Sequence, residues 1–364
     1  MSVRRRSLFG LVPSLALAAC TPRVPIRPDA TFGRHYALMF QNMGGGHRMD
    51  GSGEGRVVLV DRTSGTVTED VTFEPVENGK LVTVTGALYW VGAEGLYVWG
   101  ENEVQQIGEL PLEGALYDIR ASGGTVTAAI NGGSPDGESY LSGLISYKSG
   151  RLSTWIHDGW LHSFTHTVDT TVGLSSRFLM DTTVTLRKLD PHSSDEEFME
   201  PLSTDFVRGA NLATDGPVVA TLVTRGYEGP VGEVLICDVL AGDVRRVPLE
   251  AEDPIDVARW YGGSTPTDLK LHGRTLIWRE GSQVWSTDVD SGWTNCILDN
   301  EERSPESDMA HFLTDDGLVR AWRDAGRWNL ELVPFAAGEA TESTVDIRVD
   351  GPSDLYLFAL GVLD

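Results

Sequence analysis

One short hairpin, repeated along the chain, limits the possible folds more than any other feature. An apolar strand ends in Asp, three residues intervene, Gly follows, and an alternating strand resumes. The pattern is explicit at Val57-Val58-Leu59-Val60-Asp61 with Gly65, at Val234-Leu235-Ile236-Cys237-Asp238 with Gly242, and at Val284-Trp285-Ser286-Thr287-Asp288 with Gly292. Weaker copies fall at Tyr147 with Gly150, at Asp190 and at Pro334 with Gly338, and another strand ends in Val98-Trp99-Gly100. Positions 61, 100, 147, 190, 238, 288 and 334 then mark seven units, 39 to 50 residues apart. The Asp carboxylate accepts backbone N–H groups just beyond it and closes the turn. Gly takes the positive φ that the turn needs before the next strand.

Each unit holds about four short strands. The second predicts strands at Leu81 to Thr85, Ala87 to Val91, Leu96 to Trp99 and Val104 to Ile107. The sixth predicts Asp268 to Leu271, Thr275 to Trp278, Val284 to Thr287 and Thr294 to Leu298. These runs are β-branched or aromatic and most end at Gly. Tryptophan repeats in step: Trp278-Arg279-Glu280 matches Trp322-Arg323-Asp324, and Trp90 precedes Gly100 as Trp278 precedes Asp288. Such residues are expected to pack between units. Four-stranded units at this period, with no long amphipathic helix, predict an all-β fold: a seven-bladed β-propeller of four-stranded blades. A six- or eight-bladed ring and an array of two-sheet sandwiches are the rivals.

The ends fit a closed ring. His35 to Gln41, Arg56 to Val60 and Thr66 to Phe73 supply only three strands before the second unit, while Asp354 to Leu360 is an orphan. Placed innermost in the first blade, the C-terminal strand completes four and removes an open edge. The strand–Asp-x-x-x-Gly–strand style resembles the YVTN and quinoprotein-like propellers. The resemblance spans residues 32–364 and is architectural; the Gly-His and Trp-Asp marks of WD40 repeats are absent.

The N-terminus reads as an export signal. Arg4, Arg5 and Arg6 precede an apolar run from Leu8 to Ala19, too short for a membrane span. Leu17-Ala18-Ala19-Cys20 resembles the lipobox of bacterial lipoproteins, which implies acylation of Cys20 and anchoring by lipid. Arg5-Arg6-Ser7-Leu8-Phe9 also resembles a twin-arginine signal, beside the general secretory alternative. The domains expected are a signal peptide at 1–19, the lipidated Cys and a Pro-rich stalk at 20–31, and the propeller at 32–364. The location expected is exported, on the bacterial cell envelope.

Lys plus Arg number 29 and Asp plus Glu 53, a net charge of −24. Losing three arginines with the leader takes this to −27, which argues against a nucleic-acid partner. Cys237 and Cys296 are the other cysteines; no Cys-x-x-Cys occurs. No Gly-x-Ser-x-Gly elbow, His-Glu-x-x-His helix, Walker loop or Gly-x-Gly-x-x-Gly fingerprint is present, so no catalytic residue, cofactor or metal is assigned. His157, His162 and His166, near Asp158 and Asp169, form the densest histidine cluster, with 162 and 166 expected on one strand face. Structural hydrogen bonding is the preferred reading over a metal site. The acidic runs Asp195-Glu196-Glu197 and Asp299-Asn300-Glu301-Glu302 lack EF-hand spacing.

Labelling strands a to d from the channel outward, the a–b turns read as short and the c–d turns as mostly of the tight Asp-x-x-x-Gly type. Asn42 to Gly55, Asn131 to Tyr140 and Arg225 to Val231 read as b–c loops; Pro254 to Thr267, Asn300 to Ser307 and the shorter His157 to His162 read as d–a loops. In an antiparallel meander b–c and d–a loops share one face. That face is therefore expected to carry all the irregular sequence and the partner-binding candidates His47, His157, Trp160, His162, Tyr227, Asp256, Trp260, Tyr261 and Asp299. The function expected is a membrane-anchored, non-catalytic binding or scaffold module with a protein or carbohydrate partner. The alternative is a propeller enzyme: a polysaccharide lyase or hydrolase, or a quinone-dependent dehydrogenase.

Overall fold

A computed structural model describes residues 35–42, 55–73, 80–84, 86–92, 94–100, 103–133, 140–167, 170–177, 183–189, 197–199, 202–203, 211–224, 231–251, 268–280, 283–298, 309–314, 317–324, 327–334, 343–347 and 355–363. These residues form seven antiparallel blades arranged as a β-propeller. Blade 1 contains β1 (His35–Asn42), β2 (Gly55–Asp61) and β3 (Val67–Phe73). Blade 2 is β4 (Leu81–Val84), β5 (Ala87–Gly92), β6 (Gly95–Gly100) and β7 (Glu103–Gly108). Blade 3 is β8 (Gly114–Ser122), β9 (Thr125–Gly132), β10 (Leu141–Lys148) and β11 (Arg151–Asp158). Blade 4 is β12 (Trp160–Thr167), β13 (Thr170–Ser176), β14 (Thr183–Lys188) and β15 (Leu202–Ser203). Blade 5 is β16 (Ala213–Asp215), β17 (Val218–Thr224), β18 (Val231–Asp238) and β19 (Asp243–Pro248); β20 (Glu250–Ala251) follows it. Blade 6 is β21 (Leu269–His272), β22 (Thr275–Glu280), β23 (Gln283–Asp288) and β24 (Trp293–Leu298). Blade 7 is β25 (Met309–Leu313), β26 (Gly317–Asp324), β27 (Arg327–Pro334) and β28 (Ser343–Ile347).

The last strand, β29 (Leu355–Leu363), closes the ring. It pairs with β1 from His35↔Leu363 to Asn42↔Leu355 and gives blade 1 the order β29-β1-β2-β3. The orphan strand therefore falls where the strand count placed it, three residues longer at its end than expected. Gly361 lets β29 approach blade 2: a Cβ there would come within 2.5 Å of Leu81 Cδ1.

The hairpin chemistry is the same in its three explicit copies. Asp61 Oδ1 accepts from Thr63 N (3.0 Å) and Ser64 N (2.7 Å), and Gly65, at φ 68°, donates to Asp61 O (2.9 Å). Asp238 accepts from Leu240 and Ala241, and Asp288 from Asp290 and Ser291, with Gly242 and Gly292 closing the turns. The backbone N–H groups hold the Asp61 and Asp288 carboxyls below the usual carboxylate range. At Tyr147 a two-residue loop replaces the motif, with Ser149 at φ 49° and Gly150 at φ 80°. Asp190 and Gly338 lie outside the described residues.

Each blade buries both faces, which explains strands that are apolar at successive positions. In β1, Leu38 and Phe40 pack on Val319, Ala321, Trp328 and Leu330 of blade 7. Ala37 and Met39 pack the other way, on Leu88, Trp90 and Trp99 of blade 2. Burying each such large side chain contributes about 1.5–3 kcal/mol. Trp90 and Trp278 are fully buried, stacked on Tyr97 and Trp285. With Trp322 they are third from the end of the second strand of their blades, so the tryptophan repeat marks a structural position.

One feature departs from the sequence expectation. β20 pairs in parallel with β24 (Glu250↔Trp293), giving blade 6 a fifth strand from the chain leaving blade 5. Cys237 is buried on the third strand of blade 5, where burial pushes its thiol up to about 11, and Cys296 is exposed on β24; neither is in a disulfide.

Strand order fixes which face each connection serves. Every a–b connection between strands is two or three residues long: 85–86, 123–124, 168–169, 216–217, 273–274 and 314–316. The longer intervals on the opposite, b–c and d–a, side include 43–54, 133–140, 204–212, 252–268 and 299–308. The expectation that all irregular sequence shares that side is corrected by two c–d intervals, 189–201 in blade 4 and 335–342 in blade 7. In blade 4 the outer strand β15 has only two residues, and Phe198 N instead donates to Leu186 O on the way to it.

Candidate functional site

Of the nine candidate residues, His157, Trp160 and His162 are described; His47, Tyr227, Asp256, Trp260, Tyr261 and Asp299 lie outside the described residues, as does Cys20. The segment from His157 to His162 is not a loop. β11 runs to Asp158 and β12 starts at Trp160, so Gly159 alone joins blades 3 and 4. Gly159 sits at φ 136°, and a Cβ on it would meet Ser176 O at 2.7 Å.

A buried polar network holds this junction. Asn131 Nδ2 donates to Leu161 O (2.9 Å), and Leu161 N donates to Asn131 Oδ1 (3.0 Å). Ser142 Oγ lies 2.6 Å from Asn131 Oδ1 and 2.7 Å from Gly159 O, so its one hydrogen is shared between two acceptors. His157 and Trp160 are buried here, Trp160 edge-on to Tyr140 at 5.2 Å. Both side chains serve the seam between blades.

His162 and His166 do not share a face. The β12–β13 register slips between Leu161 and Ser163, leaving His162 as a bulge. Its Nε2 lies 2.7 Å from Ser176 Oγ, whereas His166 Nδ1 lies 3.1 Å from Thr171 Oγ1. Residues 171 and 176 are five apart on one strand and project to opposite sides. The expected alternation fails because a bulge inserts one residue. Among the described residues no three His, Cys, Asp or Glu side chains gather as a metal would require. Asp158 is exposed, Asp169 is outside the described residues, and Glu197 of the first acidic run pairs with Arg187 at 2.9 Å.

Two charged groups between blades were instead missed by sequence reading. In the first, Lys80 Nζ lies 2.9 Å from Asp118 Oδ1, and Arg120 lies 3.2 Å from Asp118 Oδ2 while donating to Asn211 Oδ1 (2.7 Å). These contacts link blade 2, blade 3 and the entry to blade 5. Burial alone would raise the Asp118 carboxyl; Arg120 and Lys80 outweigh it and hold it below the usual range.

The second group lies between blades 6 and 7. His311, Arg320 and Glu331 stand opposite one another on adjacent strands β25, β26 and β27. Arg320 Nε is 3.5 Å from Glu331 Oε2, with side chains 8% and 2% exposed. Across the junction Arg279 Nε is 2.9 Å from Asp268 Oδ2. Burial, with Arg279 and Arg320 nearby, pushes the His311 imidazole down to about 4, so it is neutral at pH 7. Few apolar residues are buried at this seam: Val284, Leu313 and Leu318 form its cluster. One signal could have found the group. Arg320 within Leu318-Val319-Arg320-Ala321 and Glu331 within Leu330-Glu331-Leu332 put charge on strands that the blade period makes core.

No protein-family model matches the chain, and no curated protein matches it in sequence. Solved structures do match. A candidate 6-phosphogluconolactonase from Bacteroides fragilis aligns at 15% identity and TM-score 0.53, over 93% of this chain and 100% of that one. Another from Bacteroides uniformis aligns at 14% and 0.52, over 88% and 98%. Cobalt-substituted ACO from Synechocystis aligns at 11% and 0.50, over 90% and 92%. At these identities the likeness is one of fold.

Proposed function

We propose that this protein is a lipid-anchored β-propeller of the bacterial envelope that binds a protein or carbohydrate partner on its b–c and d–a face. The observation that carries the reading is the asymmetry of the connections. Six a–b connections have two or three residues, while the opposite side carries intervals as long as 252–268. A chain that repeats one compact hairpin has no folding need for such length, and long loops on a rigid scaffold are where binding residues collect. Trp260, Tyr261 and Asp256 fall within that interval, and Asp299 opens the next. Aromatic rings beside carboxylates suit sugars and cationic groups. The lipobox at Leu17-Ala18-Ala19-Cys20 supports the anchor.

Two measurements test this. Cys20→Ser should release the protein from the membrane fraction; sedimentation of the variant with membranes would end the lipoprotein reading. Affinity purification from solubilised membranes, with mass spectrometry for proteins and small molecules, should recover a partner that Trp260→Ala/Tyr261→Ala loses. Unchanged recovery would remove the face from consideration.

The enzyme reading, a lyase or hydrolase acting on a sugar polymer, has one observation in its favour. A neutral His311 among two carboxylates and two guanidiniums is the kind of environment that acid–base chemistry uses. Turnover of acidic or neutral polysaccharide that vanishes in His311→Gln would establish it.

A further inference from the structure

The seam between blades 6 and 7 differs from its neighbours in what it buries. Blades 7 and 1, 5 and 6, and 1 and 2 meet through large apolar clusters. Here two ion pairs, Arg320–Glu331 and Arg279–Asp268, face an imidazole. Each carboxylate already has a guanidinium. His311 has no such match: its Nε2 is buried without a hydrogen-bond partner. A buried polar atom left so costs about 1–3 kcal/mol, and each one in a native structure calls for an explanation. Proton uptake is opposed first by burial and then by the two arginines, which act on His311 more strongly than Asp268 does. The two guanidiniums and two carboxylates cancel formally, and at His311 the guanidiniums weigh more, although the chain as a whole carries −24.

The position suits a ligand. β25 is the innermost strand of blade 7, and His311, the third residue on it, is only partly buried. Asp268 directly ends the interval 252–268, and β25 directly follows 299–308. The seam therefore lies where the two longest d–a intervals return to the ring.

We infer that the junction of blades 6 and 7 is an oxyanion site, taking the carboxylate or phosphate of a small molecule from the channel on His311 and Arg279, with Arg320 behind them. The inference rests on the loop-bearing face as the working face and adds the chemical class of its ligand. A planar guanidinium recognises either oxyanion by paired N–H donors. Arg320, fixed by Glu331, supplies charge without itself needing to move.

Calorimetric titration of the soluble domain with D-galacturonate, glucose 6-phosphate and galactose tests it. At least one of the two anions should bind saturably, galactose far more weakly, and added salt should weaken the anion. The anion that binds tells a carboxylate source from a phosphate source. His311→Gln and Arg279→Gln should each reduce affinity roughly tenfold. Imidazole NMR adds a readout independent of stability: the bound anion offsets the arginines and should raise the His311 titration midpoint by about one unit. Absence of saturable binding by both anions overturns the inference. So does equal binding by galactose, or anion binding that ignores both substitutions. Should Trp260→Ala leave partner recovery unchanged while the anion still binds through His311, the face reading fails and the site stands.

Discussion

The junction of blades 3 and 4 and that of blades 5 and 6 perform the same task with opposite means. The first passes the chain between blades through one residue, Gly159; the second uses residues 252–268. At the first, several polar groups are drawn inward: Asn131, Ser142, Ser163 and His157 are all buried. At the second, among the described residues, an apolar cluster of Ala220, Leu222, Val234, Ile236, Leu276 and Trp278 holds the blades. A short crossing must satisfy its own backbone within the seam, so it recruits side chains for that purpose. A long crossing is free to carry side chains for something else. The histidines that look most like a site in sequence therefore belong to the rigid junction.

The largest test of this contrast is Gly159→Ala. It combines a φ that only glycine adopts readily with a 2.7 Å approach to Ser176 O. A loss of about 3 kcal/mol is expected in denaturant unfolding. A Gly-Ser pair inserted between Gly263 and Ser264 should cost less than about 0.5 kcal/mol, because loop closure depends weakly on length. Equal effects at the two junctions would erase the distinction. Asn131→Ala comes next. It removes both bonds to Leu161 and leaves buried backbone groups unmatched, at about 2 kcal/mol. If the seam merely packs, Asn131→Leu will unfold at the parent midpoint.

Much of the ring was legible because it is locally encoded. The turns at Asp61, Asp238 and Asp288 depend on atoms within four residues, so their sequence is their structure. Closure by β29 followed from counting strands, and its partner β1 is simply the first strand available. What escaped is set by distant partners. β20 is two residues long and exists because β24 offers it an edge. The bulge at His162 is a register property of β12 against β13. Gly159 looked like part of a loop because polar residues flank it, yet Asn131 and Ser142 hold the chain on either side of it within the seam. The group at His311 gathers residues 268, 279, 311, 320 and 331 from four strands and one strand entrance, a spacing with no local motif.

The third test is pH. His311 titrates at about 4 in the fold, against about 6.5 when unfolded. The unfolded chain thus takes up the proton first as pH falls. Stability from this residue is complete above the unfolded value and is lost as pH drops from about 6.5 towards 4. With the ring partly exposed, the loss should stay near or below about 2 kcal/mol. His311→Gln should flatten that slope in thermal melts between pH 7 and 4.5. Persistence of the full slope would assign it to other groups.

The smallest effect on the fold is expected at Trp260 and Tyr261. Both fall in the interval 252–268, and among the described residues the blade 5–6 cluster already includes Ala220, Leu222, Leu276 and Trp278. Trp260→Ala/Tyr261→Ala should therefore leave the melting temperature within about 2 °C of the parent, as surface substitutions generally cost under about 0.5 kcal/mol. Partner capture should fall nonetheless. The pairing of outcomes is what decides: a residue held for packing loses stability when truncated, and one held for recognition loses binding alone. A fall of many degrees would place these aromatics with Trp90 and Trp278 as packing residues. The long crossing would then resemble the short one more than their lengths suggest.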